Sequence, residues 1–230
     1  MFAVITGASR GIGKALAYKF SQHGYDLVLT CEKNIKLLND IKKDIETKYN
    51  RKVIVKQGLL EEIDLPNDIY ILINNAGKCD YNLFQDISFD RYREIVYSNI
   101  DYAFLTTKVI SKKMLKEKQG VIINISSMWG ILGASMESIY SMTKGAINAL
   151  TKSLAKEFKD SNVDVLAFAL GAVDTEMNNH LNDDEKEKFL TTLDDGKMWE
   201  PCEIADKIYD IVVNKKYQTG DIVELNNGLK

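Results

Sequence analysis

Short, nearly continuous apolar runs alternate with segments of helical periodicity along the whole chain, and this alternation constrains the fold more than any other feature. Runs at 2–6, 26–30 (DLVLT), 53–55, 69–73 (IYILI), 121–125 (VIINI), 163–170 (VDVLAFAL) and 221–225 read as strands. Helical spacing marks 11–20, 33–49, 91–116, 138–159, 183–192 and 203–214 between them. His23-Gly24 reads as the end of the first helix. Strands without polar alternation are buried on both faces, so the expected architecture is α/β, a doubly wound parallel sheet with helices on both sides. Only ten residues, Leu59 to Asp68, join strands three and four, and they include Pro66. A helical crossover normally needs a dozen or more, so at most one helical turn is expected there.

Composition narrows the class. The 230 residues are 45% hydrophobic and carry a net charge of −3. That is globular, and it lacks the basic excess of a dedicated nucleic-acid binder. No apolar run reaches the ~20 residues of a membrane span, and MFAVITGAS lacks the basic start of a signal peptide. Cys31, Cys79 and Cys202 lie far apart, without the spacing of a disulfide framework or a zinc site. No repeat or linker is evident. The expectation is one domain over 1–230, metal-free and cytoplasmic.

The turn after the first strand is Thr6-Gly7-Ala8-Ser9-Arg10-Gly11-Ile12-Gly13. Glycines at a strand-to-helix turn let backbone approach a pyrophosphate, and the helix N-terminus adds free N–H groups and a positive dipole end. The spacing is GxxxGxG rather than GxGxxG. Alone, the triplet also fits a tight packing turn.

Further segments follow in order: Asn74-Asn75-Ala76-Gly77 after strand four, Asn99 in a helix, Ile125-Ser126-Ser127 ending strand five, and Tyr140-Ser-Met-Thr-Lys144 opening the next helix. Gly196 to Pro201 and Thr219-Gly220-Asp221 complete the set. Together these resemble the short-chain dehydrogenases/reductases of the classical type, with 3-oxoacyl-(acyl-carrier-protein) reductases among the most similar-looking members. The resemblance covers essentially the whole chain. It implies a seven-stranded Rossmann-like sheet in the order 3-2-1-4-5-6-7 and hydride transfer between NADP(H) or NAD(H) and a carbonyl or alcohol.

The resemblance implies catalytic roles for Asn99, Ser127, Tyr140 and Lys144, with Ser127 and Tyr140 also touching substrate. Tyr140 and Lys144 are spaced i and i+4, on one helix face. An ammonium at ~4 Å and an effective dielectric of ~20 is worth about 4 kcal/mol, up to roughly three pKa units, which moves a phenol toward neutrality. Ser127 can donate to a carbonyl oxygen that gains charge as hydride arrives. By resemblance Asn99 holds a water or backbone in a proton relay, and Lys144 bonds the nicotinamide ribose. Cofactor contacts are expected from Gly7, Ser9, Arg10, Gly11, Ile12, Gly13, Asn75, Ala76, Gly77, Tyr140, Lys144, Val173 and Thr175. Two positions depart from the family pattern. Leu170 replaces a proline, which could loosen the following loop, and Leu59 replaces an acid at the adenine, leaving an apolar contact.

The residue ending strand two sets the cofactor. An Asp there bonds ribose hydroxyls and repels a 2′-phosphate; this chain has Cys31, then Glu32 and Lys33. With Arg10 in the glycine turn, this favours NADP. Glu32 keeps NAD open.

Substrate choice is expected in 128–138 and in a loop at 174–200, where Met128, Trp129, Ile131, Leu132, Met136, Met177 and Met198 make an apolar neighbourhood. Asp183, Asp184, Glu185 and Glu187 read as a solvated helix start, and His23 and His180 as structural or surface groups. A 3-oxoacyl thioester is one candidate substrate, with Lys118 facing an acidic carrier protein; no second Arg stands near Ser161. A keto sugar or small ketone is the rival, and a non-catalytic nucleotide sensor a third reading. The resemblance also implies a homodimer or homotetramer.

Overall fold

A computed structural model describes residues 1–60, 64–178 and 181–229. Seven parallel strands form one sheet: β1 (Phe2–Ile5), β2 (Asp26–Cys31), β3 (Val53–Gln57), β4 (Ile69–Asn74), β5 (Gly120–Ser127), β6 (Val163–Leu170) and β7 (Ile222–Leu225). Their order is β3-β2-β1-β4-β5-β6-β7, as the resemblance implied.

Alternate side chains of each strand serve opposite faces. Ala3, Ile5, Leu27, Leu29, Ile71 and Ile73 are buried against helices α1 (Gly11–Gln22) and α2 (Ile35–Tyr49). Phe2, Val4, Val28, Ile69 and Leu72 share the opposite core with Ile110 and Met114 of one long helix and Ala155 of another. Both faces are therefore apolar, which explains why the strands read as unbroken runs.

The segment expected as one helix at 91–116 has a break. Helix α3 (Phe89–Val96) starts two residues earlier, where Ser88 accepts a hydrogen bond from the Arg91 amide at 3.2 Å. It passes through a π-helical turn, Tyr97–Asp101, into α4 (Tyr102–Glu117). The π turn places Asn99, a polar residue 2% exposed, inside the protein. Such turns cluster at functional sites. After β5 come the short α5 (Trp129–Leu132) and the long α6 (Ser138–Phe158). Helices α7 (Asp183–Leu190) and α8 (Pro201–Val213) follow β6. Helix α8 begins at Pro201 rather than 203 because Glu200 and Glu203 form a capping box with Pro in the first turn.

Between β3 and β4 the described residues contain no α-helix. Leu60 and Leu65 are buried there, against the α4 side of the sheet. The single turn expected in this crossover falls partly on 61–63, outside the described residues. No described helix is long and apolar enough to cross a membrane.

Candidate active site

The loops after β1, β4, β5 and β6 all leave the carboxyl edge of the sheet, and they enclose one cleft of about 1540 Å³. Ligands of open α/β sheets bind at this edge. Of the expected site residues, Gly7, Ser9, Arg10, Gly11, Ile12, Asn75, Ala76, Gly77, Ser127, Tyr140, Lys144, Val173 and Thr175 line it.

Gly13 and Asn99 act from behind the wall. A Cβ on Gly13 stands 2.5 Å from both Asn75 Nδ2 and the Gly7 carbonyl oxygen, so this glycine allows α1 to pack onto the loops. Gly7 has φ +65°, and a Cβ there lies 2.9 Å from Ala76 Cα. Two loops thus touch backbone to backbone, and Gly11 and Ile12 at the start of α1 line the cleft. The cradle fits a dinucleotide pyrophosphate: its first turn holds no acidic residue, and Arg10 is the sole charge in the glycine turn.

Asn99 is tied by its side chain. Its Oδ1 accepts from the Lys78 amide at 2.7 Å, and its Nδ2 donates to the Lys78 carbonyl and to Thr143 Oγ1, both at 2.9 Å. Thr143 in turn donates to the Tyr140 carbonyl at 2.7 Å. The asparagine thereby joins the loop after Gly77 to the turn of α6 that carries Tyr140 and Lys144. Below it, Asn74 donates to Thr107 and Asn124, and Asn124 donates to Thr151, all within 2.9 Å. This buried ladder fixes β4, β5 and α6 against α4.

Tyr140 and Lys144 are buried at 8% and 5% exposure. The Lys144 ammonium donates to the Ile125 carbonyl at 2.7 Å and lies 5.5 Å from the Tyr140 ring centre. Burial pulls its pKa down to about 8, with Cys79 pulling the other way. The expected drop in the Tyr140 pKa is not found. Burial raises it, Cys79 and Glu137 raise it further, and only a hydrogen bond with Ser127 opposes them. Desolvation is the dominant influence on the Tyr140 hydroxyl, and the Lys144 ammonium is held to the Ile125 carbonyl.

The loop after β6 is firm despite the missing proline. The Gly171 amide donates to the Leu225 carbonyl at 2.7 Å, and the Ala172 amide to Asn227 Oδ1 at 2.8 Å. Asn227 Nδ2 returns a bond to the Ala172 carbonyl at 3.0 Å, and Val173 bridges to Trp199.

At the far end of the cleft, Arg10 pairs with Glu176, and Lys78 bonds Glu32 at 2.9 Å and Glu94 at 2.7 Å. Burial works against the Lys78 ammonium, but the two carboxylates outweigh it and its pKa is raised. Tyr102, which sequence reasoning missed, lines this end; its hydroxyl bonds the Gly58 carbonyl at 2.8 Å. Leu59, expected to pack on the adenine, is half-buried and lies outside the cleft lining.

Of the apolar neighbourhood, Trp129 and Met177 line the cleft. Met128 and Met198 are buried in a separate core with Leu193 and Leu229, and Ile131 and Leu132 face solvent. His23 closes α1 and stacks beside Tyr209, its ring centre 4.1 Å away; His180 lies outside the described residues.

A family model for short chain dehydrogenases matches residues 1–186. The chain belongs to that family. This short-chain dehydrogenase is 32% identical over 235 residues to the uncharacterized oxidoreductase YmfI of Bacillus subtilis, covering 98% of the chain and 97% of the relative. It is 32% identical over 239 residues to 3-oxoacyl-[acyl-carrier-protein] reductase FabG of Aquifex aeolicus, covering 99% and 96%. Among solved structures it resembles acetoin dehydrogenase of Enterobacter cloacae, at 27% identity, TM-score 0.85 and coverage of 99% and 94%. A protein provisionally assigned as an NAD(P) dependent gluconate 5-dehydrogenase from Beutenbergia cavernae, solved with NADP at low occupancy, shares the fold at TM-score 0.90 and 23% identity, with 99% and 95% covered. The chain is thus an NAD(P)-dependent oxidoreductase that acts on CH–OH groups of small molecules.

Proposed function

We infer that this protein is an NADP-linked carbonyl reductase or alcohol dehydrogenase in which Tyr140 is the general acid and base. The observation that carries the reading is the convergence of Ser127, Tyr140 and Lys144 on the cleft that also holds the glycine turn. When bound, the nicotinamide cofactor supplies the hydride to the carbonyl carbon, or accepts it in the reverse direction. Gly7, Ser9, Arg10, Gly11 and Ile12 hold its pyrophosphate side, Asn75, Ala76 and Gly77 its adenosine side, and Val173 and Thr175 its amide. Ser127 donates to the substrate oxygen, and Tyr140 passes its hydroxyl proton to that oxygen as charge develops. Lys144 holds the ribose and restores the proton to Tyr140. Asn99 acts through Lys78 and Thr143, as a positioning residue.

Burial keeps the Tyr140 hydroxyl protonated, which suits the reductive direction. The NADP preference rests on Cys31 at the end of β2, on Arg10 at the cleft, and on Glu32, whose carboxylate is drawn off by Lys78. We place the enzyme in the cytoplasm as one domain over 1–230, with its substrate loop at 174–200. We read it as a homodimer or homotetramer through α4 and α6, which leave Phe104 and Met142 exposed. Light scattering showing only a 26.0 kDa species rejects the oligomer.

Two substrate classes fit this reading, a 3-oxoacyl thioester as for FabG and a small ketone or keto sugar. Lys118 ends α4 at the opposite edge of the sheet, roughly 23 Å of strand from Ser127, so it does not face this chain's own cleft. Oxidation of NADPH and NADH against a panel of both substrate classes tests the reading. Turnover of none, with either cofactor, rejects it.

A further inference from the structure

An ion pair crosses the carboxyl edge of the sheet. Strand β1 lies between β2 and β4. Glu32 follows the end of β2, and Lys78 follows Gly77 in the loop after β4, yet the Lys78 ammonium donates to Glu32 Oε1 at 2.9 Å. Neighbouring strands stand about 4.8 Å apart, so the two strands joined by this pair are roughly 10 Å apart, with the end of β1 between them. The glycine turn leaves β1 at that place, and its Ala8 amide donates to the Thr30 carbonyl of β2 at 2.9 Å. The pair therefore bars the crevice beside the pyrophosphate cradle, and both residues line the cleft.

The two ends of the pair are held unequally. Asn99 fixes the Lys78 backbone, taking its amide at 2.7 Å and donating to its carbonyl at 2.9 Å. The Lys78 ammonium also donates to Glu94 Oε1 of α3 at 2.7 Å, and Arg91 donates to Glu94 Oε2 at 2.6 Å. Hydrogen bonds from Lys78 and Arg91 hold the Glu94 carboxyl down at about 2, so this tether stays charged. The Glu32 side chain is 59% exposed, against 23% for Lys78. Parting the pair returns the Glu32 carboxylate to water at little cost, while Glu94 keeps the lysine at the crevice.

An acid at the end of the second strand bonds the ribose 2′-hydroxyl of NAD. Here an ammonium is stationed within hydrogen-bond reach of that acid. Resting on the NADP reading above, we propose that Lys78 is a cofactor-specificity residue that exchanges the Glu32 carboxylate for the 2′-phosphate of NADP. The exchange replaces one charge-assisted bond at the ammonium by another. The neutral ribose hydroxyl of NAD offers no such replacement and leaves the pair closed. Lys78 thereby adds a cation from the β4 loop to Arg10 of the glycine turn.

Adenosine 2′,5′-bisphosphate and 5′-AMP differ only by the 2′-phosphate, and titration calorimetry reads their binding without substrate or turnover. The wild-type protein binds the bisphosphate about tenfold or more tighter than 5′-AMP. Lys78→Met brings the two to within about threefold and leaves 5′-AMP affinity unchanged, which also shows that the crevice is intact. Lys78→Arg keeps the charge and keeps the preference. Glu32→Gln removes the competing carboxylate and tightens the bisphosphate several-fold. NADPH and NADH, titrated by fluorescence, follow the same pattern. A ratio unchanged in Lys78→Met, equal losses of both nucleotides in it, or weaker bisphosphate binding in Glu32→Gln overturns the proposal while the NADP reading stands. A wild-type protein with no preference for the bisphosphate, or with a preference for 5′-AMP, overturns both.

Discussion

The Lys144 ammonium and the Ile125 carbonyl meet at 2.7 Å, and this bond ties the lysine of the Tyr140–Lys144 pair to β5. It turns the charge toward β5, 5.5 Å from the tyrosine ring centre, with both side chains buried at the wall of the cleft. Desolvation then governs both groups, lowering the lysine pKa to about 8 and raising that of the tyrosine.

A stability signature follows for Lys144. Its folded pKa lies below the unfolded value of 10.5, so between pH 8 and 10.5 the unfolded chain binds more protons. Wild-type stability therefore rises, relative to Lys144→Met, as pH increases through that window, by roughly 3 kcal/mol in all. Tyr140 runs the other way: its contribution is complete below pH 10 and is lost above it, in both proteins alike. Urea unfolding of the pair at pH 7, 9 and 10.5 checks the sign.

Asn99→Ala leaves the Lys78 amide, the Lys78 carbonyl and the Thr143 hydroxyl without their partner. Each buried orphan costs about 1–3 kcal/mol. The expected result is a loss of a few kcal/mol in urea unfolding together with weaker cofactor binding, because the loop after Gly77 is released. An unchanged midpoint contradicts the tie.

Gly13→Ala forces a methyl to within 2.5 Å of Asn75 and of the Gly7 carbonyl. Overpacking of this kind costs typically 1–3 kcal/mol. Thermal unfolding should fall by several degrees, and cofactor affinity should fall with it, since the glycine turn must move.

Much of this was legible from local pattern. Strand positions, the glycine turn and the Tyr140–Lys144 spacing depend on residues near one another in the chain, and each was placed within a few residues. What was not legible depends on distant partners. Cys79 and Glu137 are 58 positions apart, and Ala172 and Asn227 are 55 apart. The firmness of the 171–175 loop comes from that asparagine, so reading Leu170 alone pointed to a looser loop. Helix 91–116 hid its π turn because the turn preserves helical spacing on either side. Met128 and Met198 read as cleft residues because apolar side chains carry no mark of which core they join.

Arg10 and Glu176 pair across the cleft, between the glycine turn and the substrate loop. In the NADP reading a ribose 2′-phosphate competes with Glu176 for the guanidinium. Arg10→Ala should weaken NADPH by about tenfold or more and leave NADH within a few-fold. Glu176→Gln should tighten NADPH. Fluorescence titration of both cofactors on both variants checks the pair, and equal losses for NADH and NADPH in Arg10→Ala contradict it.

The central claim is that Tyr140 moves the proton and does not hold the cofactor fold together. Tyr140→Phe keeps the ring, its burial and Lys144. Once a substrate has been found, NADPH binding by fluorescence and steady-state turnover are measured on this variant and the wild type. The expected result is near-normal NADPH affinity with turnover reduced by at least about 10²–10⁴-fold. Wild-type turnover in Tyr140→Phe, or loss of NADPH binding with it, contradicts the assignment.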